Sequence, residues 1–355
     1  MNRRRFIQLA GASATSLSLD RLIAAEERPP IDASASMSNM TWRKSPDFLD
    51  QALSGGQVVG LGEAHWYPGL IRYQHELVCA PELAGRLTDL VLECGNRRHQ
   101  ALLDAYLDGA EAFDGAPIDE QRLLAIRLDS LSFPAWMSPS HGQLFARLRA
   151  TNLARPAGER IRVHLAEPAF DWGDLAGEDD WWAINRQRDE AFFRYLEARF
   201  TPAGGRGVVV LCGARHLLKG DGGDAGPGMP REPLGRLMAH HQPGRLLSIW
   251  PSTSGDESEV AALVGRPPDR WPAIASVADR PQSAGRVLPP PFDDVGEVAP
   301  SRHVDACLYA GPQQRSMQCD PVIGRGEWPE RLRARAHVLP ARLREAVSRL
   351  LESLG

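Results

Sequence analysis

The fold is decided by one stretch of sequence, Gln57-Val58-Val59-Gly60-Leu61-Gly62-Glu63-Ala64-His65, in which an apolar run ends abruptly in a carboxylate and an imidazole. A short apolar run of this kind is typical of a strand buried on both faces of a parallel sheet. Ligands of such sheets bind outside the carboxyl ends of the strands. Glu63 and His65 are therefore predicted to lie at a ligand-binding position.

Two further apolar runs end in the same way. Leu90-Val91-Leu92 leads into Glu93, and Val208-Val209-Val210-Leu211 leads into Cys212-Gly213-Ala214-Arg215-His216. A single Glu or His after a strand is more often an ordinary loop residue, but here the pattern recurs at three strand ends. The recurrence predicts one site that contains two carboxylates and two histidines, namely Glu63, His65, Glu93 and His216.

The order of apolar strands and amphipathic helices predicts an α/β fold, with a mainly parallel central sheet flanked by helices and the site at the carboxyl ends of the strands. We expect one α/β domain over residues 42–355, with a Pro-rich irregular segment at 265–300 and a C-terminal helix. Strands are predicted at 57–61, 87–93, 160–166, 208–211, 245–250 and 304–309, and helices at 49–53, 68–78, 97–107, 118–127, 141–152, 181–200, 234–241 and 331–354.

The N-terminus resembles a twin-arginine export signal. Arg3-Arg4-Arg5-Phe6-Ile7 precedes a mildly apolar stretch rich in Ala, Gly and Ser that ends near Leu19. This stretch is shorter than the ~20 apolar residues that a membrane span needs. We expect a signal peptide over 1–25, a flexible linker over 26–41 and recognition by the twin-arginine translocation machinery. The mature protein would then be periplasmic or extracytoplasmic, without a stable membrane span.

Composition excludes some classes of function. The chain has 355 residues and a formal net charge of -4, so it lacks the concentrated basic face that nucleic-acid binding requires. Its five cysteines form no Cys-x-x-Cys pair, which disfavours a zinc finger or a dense disulfide framework. Cys94 and Cys212 are interpreted as buried packing residues, and a disulfide between Cys307 and Cys319 is left open.

With these residues in order, the sequence resembles the superfamily that joins erythromycin-esterase-like hydrolases, ChaN-type haem-binding lipoproteins and the TraB/Tiki proteins, over roughly residues 55–310. The resemblance implies that the strand-end Glu and His residues form a polar pocket in which the hydrolases activate water. The esterase branch has one more residue between its first Glu and its His, so Glu63-Ala64-His65 is closer to the haem-binding and Tiki-like branches. The matching segments are Gly62-Glu63-Ala64-His65, Leu92-Glu93, Trp136 with Leu148-Arg149 and Asn152, Arg188-Asp189, and Gly213-Ala214-Arg215-His216.

The chemistry of these residues leaves two interpretations open. An imidazole flanked by carboxylates can act as a general base toward water, and His65 with Glu63 or Glu93 fits that role. The same four residues, Glu63, His65, Glu93 and His216, could instead hold a divalent metal ion with an open position for water. The predicted substrate-binding residues, for which structural ion pairing or core packing is the alternative, are Arg97, Arg188, Arg215, Trp66 and Trp136.

The sequence therefore predicts an exported hydrolase that acts on an ester or amide bond of a small molecule. The chain has no Gly-x-Ser-x-Gly elbow, Walker loop or Gly-x-Gly-x-x-Gly fingerprint. The alternative is a non-catalytic protein that binds haem or another small ligand, with histidine, tyrosine or cysteine as an axial ligand. In the hydrolase interpretation, Glu93→Gln is expected to abolish function and to leave the melting temperature unchanged or higher.

Overall fold

The computed structural model describes residues 42–200, 207–220, 232–253, 272–276 and 303–354. All of them belong to one compact unit, Ala35–Gly355. The predicted signal peptide and linker, and most of the Pro-rich segment, lie outside the described residues. Within the described part, every helix is too short or too polar to cross a membrane.

An eight-stranded sheet organises the chain, in the order β1-β9-β10-β8-β2-β7-β3-β6. Strand β9 is antiparallel to both of its neighbours, and all the other pairings are parallel. The prediction of a mainly parallel sheet is thus confirmed. The strands, including the separate β4-β5 hairpin, are β1 (Arg43–Lys44), β2 (Val58–Glu63), β3 (Asp89–Asn96), β4 (Ala112–Phe113), β5 (Ala116–Pro117), β6 (Arg162–Glu167), β7 (Val208–Gly213), β8 (Leu246–Pro251), β9 (Ala273–Ser276) and β10 (Ala306–Tyr309).

Helices cover both faces of the sheet. Leu61, Leu92 and Leu211 belong to one core cluster with residues of α1, α2, α3 and α6, whereas Val91 and Val210 pack with α7 and α8. Side chains alternate between the faces with a period of two, so each central strand must be apolar throughout. The helices are α1 (Ser45–Ser54), α2 (Pro68–Val78), α3 (Gln100–Leu107), α4 (Glu120–Leu128), α5 (Pro139–Gly142), α6 (Leu144–Ala154), α7 (Glu178–Arg199), α8 (Leu234–His241), α9 (Trp328–Arg335) and α10 (Ala341–Glu352).

Three predicted segments differ from the structure. The single C-terminal helix over 331–354 is two helices, because Pro340 lacks an N–H and cannot sit inside a helix. The helix over 141–152 begins only at Leu144, after the short α5. Within the Pro-rich segment predicted to be irregular, residues 273–276 form β9, since pairing with β1 and β10 overrides local composition.

None of the five cysteines forms a disulfide in this structure. Cys94 and Cys212 are buried packing residues, as predicted. Cys307 and Cys319 are not bonded to each other, so the disulfide left open by the sequence is not formed here.

A buried ion pair fixes the loop between α4 and α5. Arg127 on α4 pairs with Asp320, and both side chains are less than 10% exposed. Arg127 Nη1 also donates to the carbonyl oxygens of Trp136 (2.8 Å) and Ser138 (3.3 Å), while the Asp320 amide donates to the carbonyl of Met137 (2.7 Å). The C-terminal part of the chain therefore holds the loop that precedes His141.

Removing one partner of this pair should be costly. We expect Asp320→Ala to lower the free energy of unfolding by about 3–5 kcal/mol, because Arg127 would remain as a buried charge without its carboxylate. Urea unfolding followed by circular dichroism measures this change. The exposed pair of Arg349 with Glu345 provides the control, since Glu345→Ala should cost less than about 0.5 kcal/mol. A loss for Asp320→Ala as small as the control's would contradict the anchoring role.

Candidate functional site

The site lies at the carboxyl ends of the parallel strands. Glu63 is the last residue of β2, and Glu167 is the last residue of β6. Strands β2 and β7 pair in register up to Glu63 and Gly213, and β3 and β7 pair up to Leu92 and Leu211. The chain segments that follow these strands therefore meet at one edge of the sheet.

A bulge directs Glu93 into this edge. The register between β3 and β6 shifts between Leu92 and Asn96. Gly95 has a φ of +116°, and a Cβ there would lie 2.6 Å from Leu165 Cδ2, so only glycine fits. The bulge leaves Glu93 Oε2 accepting a hydrogen bond from the Gly213 amide at 2.6 Å.

The first group of side chains, which we call the imidazole cluster, consists of Glu63, His65 and His141. Glu63 Oε1 contacts His65 Nδ1 at 3.0 Å and also His141 Nε2. The side chains of Glu63 and His141 are each only 3% exposed. Burial alone would raise the pKa of Glu63, but the two histidines outweigh it and hold that pKa below its usual range. Glu63 is therefore a carboxylate shared by two imidazoles.

Trp136 holds both rings of the imidazole cluster. Its indole is buried and packs edge-on against His65 and His141, with ring centroids 4.6 Å and 5.1 Å away. Trp136 was predicted to bind substrate, and the structure places it where it fixes the imidazoles. Trp66 is partly buried and packs against a separate core cluster that includes Leu124, Phe133 and Trp172. Its carbonyl accepts a hydrogen bond from the Ser316 amide at 2.8 Å.

The second group, the arginine cluster, consists of Glu93, Glu167, Arg188, Asp189 and His216. Glu93 Oε1 accepts from Arg188 and lies 3.1 Å from His216 Nε2. His216 Nδ1 donates to Asp189 Oδ1 at 2.7 Å. Arg188 also donates to Ser132 Oγ at 2.6 Å and lies 3.9 Å from Glu167. Every member of this cluster has an oppositely charged neighbour.

His216 lies between two carboxylates, one on each ring nitrogen. Burial would lower its pKa, but the charges of Asp189 and Glu93 and their hydrogen bonds raise the pKa of His216 to about 10. Nε2 also lies 3.0 Å from Arg188 Nη2, a contact that a neutral ring could accept. Because carboxylates face both nitrogens, we assign the imidazolium form at neutral pH.

Glu167 differs from the other carboxylates of the site. Burial raises its pKa to about 7, although Arg188 and a hydrogen bond from the Leu131 amide (2.9 Å) act in the opposite direction. Its Oε1 is buried and has no hydrogen-bond partner within the described part of the chain. Glu167 can therefore hold a proton near neutral pH.

The two clusters meet at Gly213. A Cβ at this position would lie 2.9 Å from His65 Nε2 and 3.2 Å from Glu93 Oε2. His65 and Glu93 thus converge on Gly213, so closely that a side chain at this position would displace one of them. The four residues predicted from the strand ends, Glu63, His65, Glu93 and His216, lie in one continuous site, and their roles remain predictions.

The predicted arginines have different surroundings. Arg188 is buried inside the site, whereas Arg97 donates to the Ala166 carbonyl at 2.8 Å and lies over the Tyr195 ring at 4.7 Å. Arg215 is exposed beside His216. Burial and the charge of Arg215 lower the pKa of Arg342, so these two arginines lie near each other.

Sequence reasoning missed several residues of the site. His141 was predicted only as the start of a helix, Asp189 only as part of a segment that carries the resemblance, and Glu167 was not predicted. His75 on α2, also not predicted, is 1% exposed, and its ring centroid lies 6.2 Å from that of His141. His141 is 78 positions from Glu63, so no local spacing connects the two.

Comparison with known proteins places the fold. No protein-family model matches the sequence, and no curated protein matches it. Solved structures do match, among them three that cover about four-fifths of this chain. A succinoglycan biosynthesis protein is 12% identical, with a TM-score of 0.53, over 80% of this chain and 97% of that one. A Bacillus cereus protein is 13% identical, with a TM-score of 0.51 and the same coverage of 80% and 97%.

The third structure is a variant of the erythromycin esterase EreC in its open conformation. It is 12% identical, with a TM-score of 0.50, over 78% of this chain and 99% of that one. This chain has the erythromycin-esterase-like fold. The resemblance that the strand-end motifs predicted is confirmed at the level of the fold, and identities this low carry no activity from one protein to the other.

The structure revises the expectation for Glu93→Gln. Glu93 accepts from Arg188, His216 and the Gly213 amide, so the carboxylate is stabilised where it lies, and these groups hold its pKa well below the ordinary value against the effect of burial. At pH 7 we expect Glu93→Gln to lower the free energy of unfolding by about 3–5 kcal/mol, because two buried cations lose their counter-charge. Urea unfolding measures the loss, with the exposed Glu345→Gln as control. An unchanged or higher stability would restore the original expectation.

His216 should make stability depend on pH. A histidine whose folded-state pKa is raised stabilises the protein fully below its unfolded value of 6.5, and this contribution is lost as pH rises toward about 10. We expect the stability of the wild type to fall between these values more steeply than that of His216→Gln. Histidine NMR should show one ring that titrates near pH 10. Titration of every ring below pH 7 would rule out the imidazolium assignment.

Proposed function

We propose that this chain is an exported hydrolase that cleaves an ester or amide bond of a small molecule by activating water between the imidazole and arginine clusters. One observation carries the proposal: His65 Nε2 and Glu93 Oε2 converge on Gly213, 2.9 Å and 3.2 Å from where a Cβ there would lie. The erythromycin-esterase-like fold supports it by analogy only. Export is the prediction made from residues 1–25.

His65 has the geometry of a general base. Glu63 contacts Nδ1 at 3.0 Å, which fixes the tautomer with its proton on Nδ1 and leaves the Nε2 lone pair directed toward Gly213. A water at this position can transfer a proton to Nε2 while its oxygen attacks the substrate carbonyl. The carboxylate of Glu63 then stabilises the imidazolium that forms.

The arginine cluster supplies the complementary charge. Arg188 and the imidazolium of His216 both contact Glu93. Glu93 in turn converges with His65 on Gly213. Positive charge fixed in a buried site stabilises the oxyanion that develops on an attacked carbonyl. The two histidines differ in their surroundings. Two carboxylates flank the ring of His216, whereas a single carboxylate contacts the ring of His65. Environments that separate two similar groups are typical of an acid and base pair.

The substrate would enter from the side of the exposed residues. Arg215 is exposed next to His216 and can bind a carboxylate or phosphate group of a substrate. Arg97 has its donors on backbone carbonyls of β6, so we assign it a structural role. Arg188 donates to Glu93 and Ser132, and we assign it the role of positioning the cluster without binding substrate directly.

A screen of ester, amide and phosphoester substrates tests the proposal. We expect turnover by the wild type and a loss of at least about 100-fold in kcat for His65→Gln, within the range by which general bases accelerate reactions. The exposed His240→Gln is the matched control. If no substrate reacts and added haem gives a Soret shift that His65→Gln or Tyr67→Phe abolishes, the ligand-binding alternative replaces hydrolysis.

Gly213→Ala is the sharper variant. The new Cβ would lie 2.9 Å from His65 Nε2, so the imidazole proposed as the general base would have to shift. We expect kcat/KM to fall about 100-fold, as small misplacements in an active site do, with an unchanged circular dichroism spectrum. Gly158→Ala is the control, because a Cβ there meets no atom within 4 Å. Full activity of Gly213→Ala would show that the placement of His65 Nε2 beside Gly213 is not used in the reaction.

A further inference from the structure

We infer that the imidazole cluster binds one divalent transition-metal ion, with Glu63, His65 and His141 as its three protein ligands. One ligand atom from each residue lies within 4.8 Å of the other two. This set differs from the one predicted from the sequence, since His141 replaces Glu93 and His216. The ion would bind at Nδ1 of His65, not at the Nε2 that we propose as the general base, and a ring bound through Nδ1 carries its proton on Nε2. The inference therefore rests on the proposed function only in that it assigns the activated water to the ion instead of to His65 Nε2.

The distances suit a metal ion after small side-chain rotations. Zinc lies about 2.0–2.2 Å from nitrogen and oxygen ligands, so tetrahedral ligand atoms are roughly 3.4 Å apart. Glu63 Oε1 and His65 Nδ1 are 3.0 Å apart, and His141 Nε2 contacts the same oxygen. An ion that replaced the protons shared at Glu63 Oε1 would need both imidazoles to move away from that oxygen, by a few tenths of an ångström for His65 and by more for His141.

The types of donor atom indicate the class of metal. Two imidazole nitrogens and one carboxylate oxygen suit zinc or a neighbouring transition metal, whereas calcium and magnesium prefer oxygen ligands alone. Three protein ligands leave a fourth position for water, which is the arrangement of hydrolytic zinc sites. When bound, such an ion would lower the pKa of that water.

The cluster is held in place by its surroundings. Trp136 packs edge-on against both histidine rings, and the pair of Arg127 with Asp320 fixes the backbone that leads to His141. His141 Nδ1 is buried without a hydrogen-bond partner in the described part of the chain, and so are both ring nitrogens of the neighbouring His75. Buried imidazole nitrogens without partners are unusual for packing alone, and the one on His141 belongs to a ring whose Nε2 already contacts Glu63.

His65 can serve this site and still face Glu93. Its Nδ1 belongs to the imidazole cluster, whereas Nε2 is directed toward Gly213 and Glu93. Histidines that ligate a metal usually donate their other N–H to a carboxylate or carbonyl, which orients the ring. Glu93 would then act through His65, as a positioning residue.

In the arginine cluster, the ligand atoms of Glu93 and His216 are already engaged, although Glu167 Oε1 has no hydrogen-bond partner among the described residues. Glu93 accepts from Arg188, His216 and the Gly213 amide, and both ring nitrogens of His216 face carboxylates. A metal ion there would have to displace Arg188, whose side chain is 4% exposed. The inferred ligand set (Glu63, His65 and His141) and the set predicted from the sequence (Glu63, His65, Glu93 and His216) therefore lead to different expected results when His141 or His216 is substituted.

Titration of the full-length, metal-free protein with Co²⁺ tests the inference. We expect a visible d–d spectrum that saturates at one ion per chain, and a higher melting temperature with Co²⁺ or Zn²⁺ present. His141→Gln should weaken binding by at least about 100-fold, more than the loss of an outer partner would. His216→Gln should keep the one-ion stoichiometry, and the exposed His240→Gln serves as control. Each variant is first shown to be folded by circular dichroism.

Other outcomes overturn the metal site or the proposed function separately. If His216→Gln abolishes the spectrum and His141→Gln retains it, the ion belongs to the set predicted from the sequence. If no variant or wild type binds Co²⁺ or Zn²⁺, the metal site does not exist, and hydrolysis by the metal-free protein would leave the proposed function standing. If the ion binds as inferred but no substrate reacts, the metal site stands and the proposed function fails.

Discussion

The in-register pairing of β2, β7 and β3 is the constraint on which the rest of the structure depends. It brings the carboxyl ends of three strands to one edge, so that a glycine on the middle strand lies between Glu63 on one side and Glu93 on the other. Because the strands are buried on both faces, a shift by one residue would turn apolar side chains toward the wrong helices. The packing of the core therefore fixes where the residues of the site lie.

Charge is concentrated at this edge, where it is expensive to bury. Glu63, Glu93, Glu167, Arg188 and Asp189 are all less than 5% exposed. Each ionised group has an oppositely charged partner. Glu167 differs from the others because only one of its oxygens is hydrogen-bonded and its pKa is about 7. Buried ion pairs contribute little net stability, so their presence here is better explained by chemistry than by folding.

Much of this arrangement could be read from the sequence, and the remainder has a physical reason for being hidden. Continuous apolar runs predicted the parallel strands, and the residues directly after them predicted Glu63, His65, Glu93 and His216. Local patterns carry such information because a strand end is a local feature. His141 and the break at Pro340 show the limits, since the first depends on a contact 78 positions away and the second on where a helix packs.

The anchoring of His141 has a consequence for the order in which the molecule matures. Strands β2, β3 and β7 and the helices beside them are complete well before the ribosome reaches Asp320, the residue that pairs with Arg127 below the 136–138 loop. An emerging or truncated chain could therefore form most of the sheet while the segment leading to His141 still lacks its anchor. Completion of the C-terminal segment would then be the event that separates a folded sheet from a finished site.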